Sequence, residues 1–298
     1  MPDYLKKTGR IFRRHWLITL IFCGIVLLTM TTNALERMFI YFPTREIEAD
    51  PSVIGLEYLE VHTTTQDGVR LHGWFVPQPG ARCTLLIFHG NAGNISHRIG
   101  WIQMLHELNT HVMIIDYRGY GRSEGKPFEE GLYLDALAAY DWWSKERAGD
   151  RSKLVLIGES LGGAVAIDLA SKVPVDGLVL QSTFTTAWDM AKALIPIGLL
   201  QPLTGVKFDS AAKIRKISCP KLFIHGNRDD IVPFDLGRKL FYLAPPPKEF
   251  YEVAGASHND LLFIAGPEYV KQLGQFLSQL SGRTPDQAED TGDPRTER

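Results

Sequence analysis

The segment Gly158-Glu159-Ser160-Leu161-Gly162 constrains this chain more than any other. It follows the apolar run Leu154-Val155-Leu156-Ile157 and opens onto the small-residue run Gly163-Ala164-Val165-Ala166-Ile167. Such a pattern reads as a strand, a sharp turn and a helix, with a serine at the apex. A serine in that turn takes strained backbone angles, and its hydroxyl stands clear of the sheet. The flanking glycines leave space that a Cβ would fill. A glycine-rich loop with a solvated serine would use the same letters. The strand before and the helix after them favour the first reading.

A serine hydroxyl becomes an effective nucleophile only when a base takes its proton, and the base needs an acid to orient it. The run Leu222-Phe223-Ile224 ends in His225-Gly226-Asn227-Arg228-Asp229-Asp230. This puts a carboxylate just past the carboxyl end of a strand, where open α/β sheets carry their sites. The next strand, Phe250-Tyr251-Glu252-Val253, runs into Ala254-Gly255-Ala256-Ser257-His258, so a histidine also follows a strand end. Ser160, Asp229 and His258 are the candidate catalytic residues. Only one carboxylate needs to reach the imidazole, and Asp230 is expected to face solvent or a loop amide. A third buried strand, Thr84-Leu85-Leu86-Ile87-Phe88, ends in His89-Gly90-Asn91-Ala92-Gly93-Asn94. Two backbone N–H groups must meet the oxyanion that develops in acyl transfer. The expected pair is that of Leu161, after the nucleophile, and that of Asn91, in this small-residue loop.

In chain order, HGNAGNISHR, DYRGYGRSEG, EEGLYLDALAAYDWW, GESLGGAVAIDLAS, HGNRDDIVP and GASHND resemble the membrane-anchored, bud-emergence-protein-like branch of the alpha/beta-hydrolase superfamily. The likeness runs over roughly residues 39–280. It implies an α/β fold with a mostly parallel eight-stranded sheet and helices on both faces. It also implies the triad Ser160, Asp229 and His258, and a serine hydrolase acting on an acyl ester or thioester, with a small-molecule or lipid-like substrate. Fold-level likeness does not choose the substrate. A serine peptidase-like hydrolase and a non-catalytic membrane-anchored scaffold stand as the alternatives.

Composition narrows the partners. A net charge of −2 and the lack of a basic stripe beyond the N-terminus argue against nucleic acid. The nine histidines fall in no HExxH pattern, and there is no paired CxxC or dinucleotide fingerprint, so neither a metal nor a cofactor is expected. No obligate protein partner is evident. Cys23, Cys83 and Cys219 are expected to be free, because the strands at Leu85 and Leu222 stand about three positions, roughly 14 Å, apart in this fold.

Residues 1–14 carry Lys6, Lys7, Arg10, Arg13 and Arg14, whereas residues 15–35 hold no acidic residue, lysine or arginine. About twenty such residues can cross roughly 30 Å of hydrocarbon as a helix. The preceding positive charge predicts a cytoplasmic N-terminus, with the following domain on the periplasmic or lumenal side. Thr32-Asn33-Ala34 is a poor cleavage site, so a transmembrane signal anchor is expected rather than a cleaved signal peptide. Residues 39–281 form the expected hydrolase domain and residues 282–298 a disordered polar tail. Residues 183–217 are apolar and broken by Pro196 and Pro202, which predicts a short helical lid. Trp188, Leu194 and Ile197 are its candidate acyl-pocket residues. Residues 56–64 and 69–76 alternate around Gln66-Asp67-Gly68, a hairpin signal. Asp116 and Arg118 are expected to hold loops together rather than to react.

Overall fold

Every residue of Cys83–Phe88 and of Gly177–Gln181 is buried, as central strands covered on both faces require. The computed structural model describes residues 39–147, 152–194, 206–280 and 282. Its main sheet is built from β2 (Leu59–Thr64), β3 (Arg70–Val76), β4 (Cys83–Phe88), β6 (His111–Ile115), β7 (Lys153–Glu159), β8 (Gly177–Gln181), β9 (Lys221–Gly226) and β10 (Lys248–Val253). The strand order is β10-β9-β8-β7-β4-β6-β3-β2. The pairs of β3 with β2 and β6 are antiparallel, and all the others in the sheet are parallel. Two further strands of two residues each, β1 (Phe42–Pro43) and β5 (Ala92–Gly93), pair with one another outside it.

Alternate side chains of each central strand face opposite layers. Leu86, Phe88, Leu154 and Leu156 pack with the helices Glu129–Glu146, Leu161–Ala170 and Phe234–Leu243. Leu85, Ile87, Val155 and Ile157 pack with the helices Ile99–His106, Leu261–Ala265 and Pro267–Leu280. The doubly wound, mostly parallel sheet expected from the sequence is the one observed. The hairpin turns at Gly68, whose φ of +85° a residue with a Cβ rarely adopts. Its first strand begins at Leu59, later than the alternation suggests, because residues 51–54 coil into a 3-10 turn closed by Gly55.

Register brings the candidate loops together. Phe88 is aligned with Gly158, so the Asn91 loop and the Ser160 turn leave neighbouring strands at one level. Gly226 is aligned with Val253, so the loops bearing Asp229 and His258 do the same. Cys83 is buried at the start of β4, Cys219 precedes β9 three positions away, and neither forms a disulfide. In the segment expected as a lid, the helix Ala187–Leu194 and the helix Ser210–Lys213 are present. Their flanks are joined by Ala187 N–H to Lys207 O (2.8 Å) and Ala211 N–H to Thr185 O (2.9 Å). The Glu129 carboxylate accepts from the N–H groups of Lys207 and Phe208 at 2.6 and 2.7 Å. Ile197 and both prolines of this segment, the expected anchor at residues 15–35, Cys23, and residues 283–298 lie outside the described residues. Among those described, no helix is long and apolar enough to cross a membrane.

Candidate active site

Ser160 sits at the corner between β7 and the helix Leu161–Ala170 with φ +53° and ψ −116°, a conformation that costs a non-glycine residue on the order of 1–3 kcal/mol. Surrounding contacts hold it there. Its N–H donates to Gln181 O (2.9 Å), and its carbonyl accepts from Gly163 N–H (3.0 Å) and Thr183 Oγ1 (2.8 Å). The glycines are needed for space: a Cβ on Gly158 would lie 2.5 Å from Gly162 O, and one on Gly163 would lie 2.3 Å from Thr183 Oγ1. Among the described residues Ser160 Oγ has no hydrogen-bond partner. In ligand-free active sites such hydrogen bonds are often long or poorly aligned and tighten only around substrate.

His258 and Asp229 are in direct contact. His258 Nδ1 lies 2.8 Å from Asp229 Oδ2, with the imidazole 11% exposed and the carboxylate fully buried. Asp229 Oδ1 accepts from the N–H groups of Ile231 (3.0 Å) and Val232 (2.7 Å). Asp230 is exposed and, among the described residues, meets only the His258 N–H, at 3.5 Å, in line with its expected role. One participant was not anticipated. The buried His225 imidazole places Nε2 3.2 Å from Asp229 Oδ2 and 3.0 Å from Val232 O. Burial pushes the Asp229 carboxyl up, but the hydrogen bonds from His225 and His258, the His258 charge and the Val232 amide outweigh it and hold the group well below the usual carboxylate range. A depressed carboxyl stabilises the fold above its ordinary pKa and loses that contribution as pH falls. The stability advantage of wild type over Asp229→Asn is therefore expected to be constant above about pH 5 and to shrink below about pH 4. Urea titrations across that range check this. An advantage unchanged down to about pH 2.5 would contradict the assigned contacts.

The loop after β4 lies against the serine, since a Cβ on Gly90 would stand 3.8 Å from Ser160 Cβ. Glu159 Oε2 accepts the Gly90 N–H at 3.1 Å and lies 3.4 Å from Arg98 Nε. Asn91 is fixed by its carbonyl, which accepts from Phe42 N–H (2.9 Å) and Tyr120 Oη (2.8 Å), and by its side chain, which donates to Ile40 O (2.8 Å). Among the described residues neither the Asn91 nor the Leu161 N–H has an acceptor. His89, beneath this loop, is pushed down to about 3 by burial and the Arg98 charge, so its imidazole is neutral. Arg118 joins Asp67 and Asp135 at 2.7 and 2.8 Å, and Asp116 accepts the Ile95 N–H at 3.0 Å; both residues brace loops as expected.

The three pocket candidates fare unequally. Trp188 is half-buried, with Lys192 Nζ 4.9 Å above its ring. Leu194 ends the same helix, its side chain outside the description, as is all of Ile197.

Residues 84–212 match the family described as alpha/beta hydrolase fold. The chain is 34% identical to Protein bem46 of Schizosaccharomyces pombe over 285 residues, covering 89% of this chain and 95% of that protein. It is 36% identical to Lysophosphatidylserine lipase ABHD12 of Macaca fascicularis over 224 residues, 65% of this chain and 56% of the lipase. Among solved structures it is similar to the Pyrococcus furiosus esterase Pf2001, with a TM-score of 0.69, 23% identity, and 81% and 97% of the two chains covered.

Proposed function

This chain belongs to the alpha/beta-hydrolase family, in the branch that includes bem46 and ABHD12, and on that premise we propose that it is a serine hydrolase cleaving acyl esters or thioesters of lipid-like substrates beside a membrane. Ser160 Oγ attacks the acyl carbonyl while His258 Nε2 takes its proton. Asp229 holds the imidazole by its Nδ1–H and stabilises the cation that forms. The amides of Asn91 and Leu161 meet the tetrahedral oxyanion. His258 protonates the leaving group, and a water that it then activates releases the acyl group from Ser160.

The observation that carries this reading is the 2.8 Å contact of His258 Nδ1 with a buried Asp229, on the strand-end loops level with a serine held at positive φ. The family relation to a lysophosphatidylserine lipase supports a lipid-like acyl substrate. The segment that holds Trp188 leaves the serine turn directly, with Thr183 Oγ1 2.8 Å from Ser160 O, and this supports an acyl pocket formed from that segment. Residues 15–35 are the proposed anchor, with the N-terminus cytoplasmic and the hydrolase domain on the periplasmic or lumenal side.

The test is labelling of the full chain, in membranes, with a fluorophosphonate probe. Wild type is expected to label and Ser160→Ala to remain unlabelled. Equal labelling of both would place the reactive serine elsewhere, and no labelling of folded wild type would overturn the proposal.

A further inference from the structure

We propose that the domain lies on the bilayer with the carboxyl edge of its sheet, and so the mouth of the Ser160 site, turned toward the lipid. The inference rests on the reading of residues 15–35 as the anchor. It concerns the orientation of the site, which that reading leaves open.

The first argument is the length of the tether. From Leu35 at the end of the uncharged segment to Phe39 there are four Cα steps, at most about 14 Å of fully extended chain. Whatever surface of the domain carries Phe39 is therefore held against the membrane. The second argument is what Phe39 is attached to. Ile40 O accepts from the Asn91 side chain (2.8 Å), Phe42 N–H donates to Asn91 O (2.9 Å), and Thr44 N–H donates to Gly93 O (3.0 Å). Phe42 and Pro43 pair in parallel with Ala92 and Gly93. The chain leaving the anchor is thus stitched directly to the loop proposed to stabilise the oxyanion. A four-step tether leaves that loop no room to swing far from the bilayer.

The third argument is independent of the tether. Eight large hydrophobic side chains stand exposed among the described residues, and five of them lie on segments joined to the loops of this one edge. Phe39 (70% exposed) and Phe42 (52%) are on the run stitched to the loop after β4, and Ile231 (40%) is in the acid loop after β9. Phe263 (86%) and Ile264 (45%) lie on the helix that follows the histidine loop after β10. In that helix Leu261 and Ala265 are buried in the core, so Phe263 stands on the outward side. Aromatic and aliphatic side chains exposed on segments that border one edge are the composition of a surface that enters the headgroup and acyl boundary. Water exposes them at a cost, and the bilayer held beside them removes it. The acyl substrate then reaches Ser160 by lateral movement out of the membrane.

The test uses the full chain reconstituted in phosphatidylcholine vesicles and two esters: water-soluble p-nitrophenyl acetate, and 4-methylumbelliferyl oleate dissolved in the bilayer. Two changes are compared with wild type. One is Phe263→Glu. The other is a Gly/Ser insert of about twenty residues after Arg37, which adds roughly 25 Å of mean reach. Each is expected to lower oleate turnover by about tenfold or more, with acetate turnover within about twofold of wild type, as loss of an apolar interfacial contact requires. Oleate turnover unaffected by both changes would mean that the apolar rim meets a protein partner or a second copy, and would overturn the proposal. Equal loss on both esters would also overturn it, since Phe263 would then act on the site itself. A wild type inert on both esters would instead overturn the hydrolase reading beneath it.

Discussion

Asp229→Asn is expected to lower kcat/KM for a simple acyl ester by about 10⁴, and Asp230→Asn by no more than a few-fold. The two carboxylates are adjacent in sequence but differ in every physical respect. The Asp229 carboxylate is fully buried, accepts two backbone N–H groups, and lies 2.8 Å from His258 Nδ1. Asp230 is exposed and, among the described residues, reaches only the His258 amide, at 3.5 Å. An asparagine at position 229 would keep the shape and the backbone contacts. Its amide would turn a donor toward either His225 or His258, because both rings lie within 3.2 Å of Asp229 Oδ2. When His258 faces that donor, its proton is forced onto Nε2, and the ring can no longer accept the Ser160 proton. The loss should therefore fall on kcat, with KM little changed, as for an interaction made only in the transition state. Steady-state kinetics of both variants decide the point. Comparable losses at 229 and 230 would mean that the acid is shared or misassigned, and a loss below about tenfold at 229 would remove it from the relay.

The parts of this site that could be read from the chain are those whose constraint is local. The turn at Ser160 is announced by residues within a few positions of it, because the clash that demands glycine at 158 comes from Gly162 and Gly163 of the same turn. The acid and histidine loops could be placed because each directly follows an apolar run, and the parallel register of β9 and β10 then brings them level. What could not be read depends on contacts far apart in sequence. The pairing of Phe42 with Ala92 spans 50 residues and involves two residues on each side, too few for any periodicity to show. Glu129 looks like an ordinary first-turn helix acid, yet it accepts two amides from residues 78 and 79 positions away. The role of His225 depends on the fold of the acid loop around it. Its position four residues ahead of Asp229 carries no recognisable signal, because the segment between them is not helical. The separation of Cys83 from Cys219 was legible once the strand order was supplied by resemblance, and not before.

Gly162→Ala is expected to be among the most damaging single-methyl additions in the chain. The new Cβ would lie 1.9 Å from Phe88 O, 2.5 Å from Phe88 C and 2.7 Å from His89 O. All three are backbone atoms at the end of β4, so no side-chain rotation relieves the clash. Either the helix Leu161–Ala170 retreats from the sheet or the end of β4 bends away. Retreat breaks the packing of Ala164, Val165 and Ile167, all buried in the core. Bending β4 carries the Asn91 loop with it. Overpacking of well-packed interiors costs typically 1–3 kcal/mol, and a backbone-on-backbone clash belongs at or above the top of that range. A loss of about 3 kcal/mol should lower Tm by roughly 6–12 °C for a domain of this size. Esterase activity should fall by more than the loss of folded protein explains, because the strain is released into the loop proposed to bind the oxyanion. Gly100→Ala is the matched control. Gly100 is exposed in the helix Ile99–His106 with nothing within 4 Å of its would-be Cβ, so alanine there should stabilise by up to about 1 kcal/mol through helix propensity. Thermal unfolding and ester hydrolysis on the two variants together separate a clash at the elbow from a general intolerance of side chains at glycine positions. A Gly162→Ala variant that kept wild-type Tm and activity would show that the elbow and β4 are not packed against each other as described.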